Sequence, residues 1–117
     1  MTPEDARQTY ARMLGEAGET VTIRRYYSTG SPRPTHEKDC AARVLAYQPS
    51  EIVGPIVQGD RKIILLAQDI ETGPVALPIL TTDKAVVRGK ELAIVAIDDN
   101  TRRVGPTLCA YELQVRG

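Results

Sequence analysis

Around Gly18 the spacing of apolar residues changes from a helical period to a period of two, and the helical period does not return. Before that point Ala6, Tyr10, Met13, Leu14 and Ala17 recur as they do on one face of a helix. Thr2 suits the N-cap, Pro3 the first helical position, and Glu4 and Asp5 the positive helix end, while Gly18 is a natural stop. A helix is therefore expected over residues 3–17. From Thr20 onward, Val21 and Ile23 alternate with Thr20, Thr22 and Arg24, the pattern of a half-buried strand.

The remaining chain is cut into short pieces by nine glycines and eight prolines. Strands are expected near 41–47, 61–67, 84–88, 91–97 and 109–116, with a partly buried connection and one helical turn between Gln48 and Gly59. Residues 102–106 read as a further connection. One helix followed by about six closely spaced strands is mainly β: a small antiparallel β-barrel or sandwich with the helix packed outside. With 117 residues the chain has the length of one domain, 1–117, and shows no internal repeat or low-complexity tract. Its core must be aliphatic, since Phe and Trp are both missing.

Residues 27–40 are expected to form a long polar loop, with two prolines and no apolar period. Only Tyr27 and Cys40 are sizeable apolar groups there, too few to offset about 1–2 kcal/mol of ordering per residue. Such a loop should fluctuate in a monomer and become ordered in an assembly.

Fifteen basic and fifteen acidic residues cancel, so no bulk basic excess announces nucleic-acid binding. The start carries acids where a signal peptide needs basic and then apolar residues, and no run is long enough for a helix to span a bilayer. These features suggest a reducing, cytosolic setting with Cys40 and Cys109 as free thiols.

Chemistry-bearing constellations are sparse. His36, Asp39 and Cys40 are three clustered potential metal ligands, but structural zinc takes four and no second pair accompanies them. Cys40 with His36 as base lacks an orienting group and a recognisable flanking motif. Cys109 sits on the apolar face of the last strand and reads as core. Asp98 and Asp99 read as turn residues, as do Asp60 and Asp83 just before strands. No phosphate loop or paired catalytic acids are present, so neither catalytic activity, a metal nor a cofactor is expected. Arg24-Arg25-Tyr26-Tyr27 pairs cations with rings and makes Arg24 and Arg25 the candidate nucleic-acid contacts. Adjacent tyrosines on a strand face opposite ways, however, and form no common platform.

The order of features resembles a known family. A short helix leads into Val21-Thr-Ile-Arg-Arg-Tyr, a long polar loop and a second strand. Then follow Gly59-Asp60-Arg-Lys-Ile-Ile-Leu-Leu-Ala, Thr82-Asp83-Lys-Ala-Val-Val-Arg-Gly89-Lys90, Glu91-Leu-Ala-Ile-Val-Ala-Ile, and a C-terminal Tyr111-Glu-Leu-Gln-Val-Arg-Gly117. Over nearly its whole length the chain resembles the head-closure (stopper, head–tail connector) proteins of long-tailed bacteriophages and prophages. The resemblance implies a β-barrel joining a ring in the virion neck, made in the host cytoplasm. Its partners would be copies of itself, portal and adaptor proteins, the tail terminator protein, and packaged double-stranded DNA passing through the channel, with no membrane. By position it also makes Tyr27, Arg33, His36 and Lys38 candidate channel or inter-subunit loop residues. A tail-completion or minor tail protein, an oligonucleotide-binding barrel, and a small hydrolase or metal enzyme on a barrel scaffold, which the motifs disfavour, are the alternatives.

Overall fold

A computed structural model describes residues 2–26, 35–75 and 77–117. The helix α1 (Pro3–Ala17) begins as its sequence dictates. Thr2 Oγ1 accepts from the Asp5 backbone N–H at 3.1 Å, and the Asp5 carboxylate accepts from the Thr2 N–H at 3.3 Å. Only Ala6 and Leu14 of the apolar stripe are fully buried, and Met13 is half exposed.

The strands are β1 (Glu19–Tyr26), β2 (Thr35–Ala46), β3 (Arg61–Leu66), β4 (Lys84–Val87), β5 (Lys90–Asp98), β6 (Arg103–Val104), β7 (Thr107–Leu108) and β8 (Ala110–Arg116). A one-turn 3-10 helix, Pro49–Glu51, lies in the connection from β2 to β3, and the short helix α2 (Ala67–Glu71) follows β3 directly. Six strands close into a barrel in the order β1-β2-β3-β8-β5-β4, every neighbouring pair antiparallel. Closure leaves the barrel without an open edge, and the expectation of a barrel or sandwich resolves to a barrel. β6 and β7 form a small separate hairpin within the stretch read from sequence as plain connection.

Alternation along each strand sends Val21, Ile23, Cys40, Ala42, Ile63, Leu65, Ala85, Val87, Leu113 and Val115 inward to one core. The register of β5 against β8 shifts between Ile94 and Ala96, a bulge that helps so narrow a barrel to bend. β4 and β5 are joined by Arg88 and Gly89, both at positive φ (51° and 81°), the tight turn whose twist suits a hairpin.

The antiparallel order gives the barrel two distinct ends. At the first, β1, β3 and β5 begin, and the α1–β1 junction, residues 47–60, the Arg88-Gly89 turn and the C-terminus gather. At the second end lie α2, the rest of the segment before β4, and the connection from β5 to β8.

The expected loop over 27–40 needs correction. Residues 35–40 are the first half of β2 and pair with Tyr26 back to Val21, so Thr35–Cys40 are strand. Cross-strand pairs and a buried Cys40 order this stretch although it is polar. Residues 27–34 lie outside the described part.

Two glycines of the helix region have opposite surroundings. A Cβ on Gly18 would sit 2.2 Å from the Ala42 carbonyl oxygen and 2.3 Å from that of Leu14, both fixed backbone. A Cβ on Gly15 meets nothing within 4 Å. Gly18→Ala should therefore lower unfolding stability by about 2 kcal/mol or more. Gly15→Ala should raise it by about 0.5–1 kcal/mol through helix propensity. Urea denaturation of both variants checks the pair.

Candidate functional site

Buried carboxylates stand where β3 and β4 begin. Asp83 is fully buried at the start of β4. Its carboxylate accepts from the Leu80 backbone N–H at 2.9 Å and from Nε and a terminal nitrogen of Arg25 at 2.8 Å each. The same guanidinium donates to the Pro78 carbonyl at 3.0 Å. Because Ile23 and Ala85 face the core, Arg25 on β1 and Asp83 just before β4, each two residues away, face inward too and cap the second end of the barrel.

Asp60 at the start of β3 has the matching arrangement. It is 4% exposed and accepts from the Val57 N–H at 3.1 Å, from Nε of Arg116 at 2.7 Å and from a terminal nitrogen of Arg116 at 2.8 Å. Arg116 also donates to the Pro55 carbonyl at 3.1 Å, and Gln114 adds 2.9 Å and 3.2 Å bonds to Asp60 and Pro55. This clasp lies on the outer face, since Val115 next to Arg116 points inward. The Arg116 hydrogen bonds hold the Asp60 carboxyl well below the usual range against the opposing cost of burial.

The two clasps come from one short sequence used twice. Pro55-Ile-Val-Gln-Gly-Asp-Arg-Lys-Ile-Ile and Pro78-Ile-Leu-Thr-Thr-Asp-Lys-Ala-Val-Val share Pro, Ile and Asp at the same places and conservative pairs at four others. In both, the residue three before the aspartate closes a turn on it: Asp60 N–H to Val57 O at 3.1 Å, and Asp83 N–H to Leu80 O at 3.0 Å. The two segments share three identities in ten positions, a local likeness of two turns rather than a repeated unit. Alignment of the chain with itself at an offset of 23 residues is the signal that reveals it.

The clasps also settle where the candidate nucleic-acid contacts lie. Arg25 is turned toward Asp83, with 17% of its side chain exposed. Arg24 points outward and is shared between Glu37 on β2 at 2.5 Å and Glu91 on β5 at 2.9 Å, reaching across the short β4. Tyr26 donates to the same Glu91 oxygen at 2.6 Å. The Glu91 and Glu37 bonds raise the Arg24 pKa above its ordinary value, and the Tyr26 and Arg24 bonds lower that of Glu91. Both guanidiniums are engaged by carboxylates of the barrel.

Of the candidate loop residues, Tyr27 and Arg33 lie outside the described part. His36 and Lys38 stand on β2, not on a free loop, opposite Arg25 and Ile23 in the ladder. The stem of Lys38 lies against Gly73, where a Cβ would come within 2.6 Å of its Cγ and Cδ. His36, Asp39 and Cys40 do not converge as ligands: strand alternation turns Asp39 out to the Thr22 hydroxyl at 2.5 Å and Cys40 into the core. Among the described residues no group of three metal-capable side chains occurs. Burial pushes the Cys40 thiol up to about 12, with the Asp69 charge adding to it, so the thiolate that nucleophilic chemistry needs is disfavoured. Cys109 is also buried, and both cysteines are free thiols. Asp98 is a turn cap: it accepts from the Asn100 and Thr101 N–H groups at 2.9 and 3.0 Å and from the Thr101 hydroxyl at 2.6 Å.

No protein-family model matches the chain, and no curated protein or solved structure is significantly similar to it.

Removing one partner of an enclosed ion pair leaves the other charge stranded. Asp83→Ala should cost about 3 kcal/mol and Asp60→Ala about 2 kcal/mol, the second less because Arg116 can return to water. The Asp60 clasp is sensitive to acid. Its carboxyl is depressed on folding, so its contribution is present above the unfolded pKa near 4 and fades as pH falls below it. The stability gap between wild type and Asp60→Ala should shrink from about pH 5 to about pH 2, read by urea unfolding at each pH.

Proposed function

We propose that this barrel is a structural subunit of a tailed phage or prophage neck, a head-closure protein that assembles as a ring and docks the tail. The observation that carries the reading is the pair of barrel ends. Each is held by an arginine–aspartate clasp with a buried carboxylate, and each presents aliphatic side chains to solvent: Val53 and Val57 at the first, Leu77 and Leu80 at the second. A closed barrel has no strand edge to offer a partner, so its assembly must use ends and faces. A β-barrel is also the architecture that the resemblance to head-closure proteins implies. The engagement of Arg24 and Arg25 by carboxylates favours this reading over an oligonucleotide-binding barrel.

In such a ring the barrel would continue the channel beneath the portal and adaptor and retain the packaged DNA until the tail joins. The test is a lysate of the phage or prophage that encodes the chain, with its gene deleted. Filled heads should lose DNA and accumulate beside free tails, and the purified protein should restore joined, infectious particles. Particles that join and retain DNA normally without the chain would refute the proposal.

A further inference from the structure

We infer that α1 is a releasable latch: it leaves the barrel as a unit while the six strands stay closed, baring the outer faces of β2 and β3. The barrel does not depend on it. Each of the six strands is paired on both sides by barrel neighbours, and no residue of α1 belongs to the hydrophobic core. α1 lies against β2, β3 and β6, and the two side chains that it buries, Ala6 and Leu14, pack outside that core. The seam beneath it is incompletely filled. Clefts of about 290, 380 and 430 Å³ run along it: the first is lined by Met13 and Ile64, the second by Gly15 and Asp69, the third by Thr9 and Val104. Groups beside a void lose the contacts that close packing supplies.

Polar satisfaction fails at the same seam. Among the described residues, the buried side-chain nitrogens without a hydrogen-bond partner are Nε of Arg7, on α1, and Nε of Arg102, beside Tyr10 of α1. Release of α1 lets water reach both, which offsets part of the docking energy. The clamp itself is local. Arg7 donates to the two Glu71 oxygens at 3.1 and 2.8 Å and to the Leu108 carbonyl at 2.8 Å, and Arg102 reaches the Tyr10 hydroxyl at 3.5 Å. Arg7 and Glu71 are 23% and 35% exposed, a setting in which ion pairs contribute little. At the far end of α1, Gly18 is extended and wedged between the Ala42 and Leu14 carbonyls, which makes it the pivot. A released helix of 15 residues is marginal in water, so α1 melts when it undocks and its amides exchange.

Native-state hydrogen exchange of the full chain tests this. The amides from Tyr10 to Leu14 should share one opening and exchange at least about a hundredfold faster than those of Ile63 and Leu113 in the barrel. Two substitutions separate release of α1 from global unfolding. Ile63→Val weakens the barrel core, which stays intact when α1 leaves. It should speed the Ile63 and Leu113 amides about fivefold and leave the α1 amides unchanged. Arg7→Leu breaks the clamp and should speed the amides from Tyr10 to Leu14 alike, about fivefold or more; Glu71→Gln is the milder second variant. Exchange of α1 as slow as that of the barrel, with both sets accelerated by Ile63→Val, would show that α1 opens only when the chain unfolds and would overturn the inference. A graded response confined to the turn beside Arg7 would show fraying rather than release, and it overturns the inference as well.

Discussion

A carboxylate withdrawn from water must be surrounded by donors, and in this protein that requirement fixes the geometry of both barrel ends. Asp83 satisfies it with Arg25 and the Leu80 amide, and Asp60 with Arg116, Gln114 and the Val57 amide. Each arginine is delivered by the strand that neighbours the one the aspartate opens: β1 beside β4, and β8 beside β3. The clasp therefore ties a turn to the hydrogen-bonded ladder. Because strand faces alternate, the same sequence element works on the inner face at one end and on the outer face at the other. A short aliphatic core without Phe or Trp closes the middle, and these polar locks close the ends.

Much of the fold is legible in local sequence. The change of period at Gly18, the cap at Thr2 and the alternation from Tyr111 to Val115 each specify an element, because a helix and a half-buried strand have different periods. The start of β2 is illegible for the opposite reason. Thr35 to Asp39 is polar on both faces, and its strand state comes from pairing with β1, a tertiary cause that propensity does not record. The α2 helix is hidden likewise: five residues are too few to show a helical period, and Ala67 reads as the end of β3. Asp60 and Asp83 are legible as turn residues, but their partners are not. Arg116 and Arg25 lie 56 and 58 residues away, and only the ladder register places them opposite. The local likeness of the two turns is readable in the chain itself.

For function, the consequence is a division of labour between the middle and the ends. Cys40 is buried in the core with its thiolate disfavoured, Asp98 caps a turn, and Arg24 belongs to a surface network with Glu37, Glu91 and Tyr26. Val57 and Leu80, beside the clasps, face solvent at opposite ends of the barrel.

The claim beneath all of this is that each clasp holds its own turn. Native-state amide hydrogen exchange with the two alanine variants measures it directly. In Asp83→Ala the amides of Leu80 and Asp83 should exchange at least about tenfold faster than the amides of Val57 and Asp60, relative to wild type. Asp60→Ala should show the converse. Uniform acceleration at both ends in either variant, or no change at the turn whose carboxylate is removed, would contradict the account.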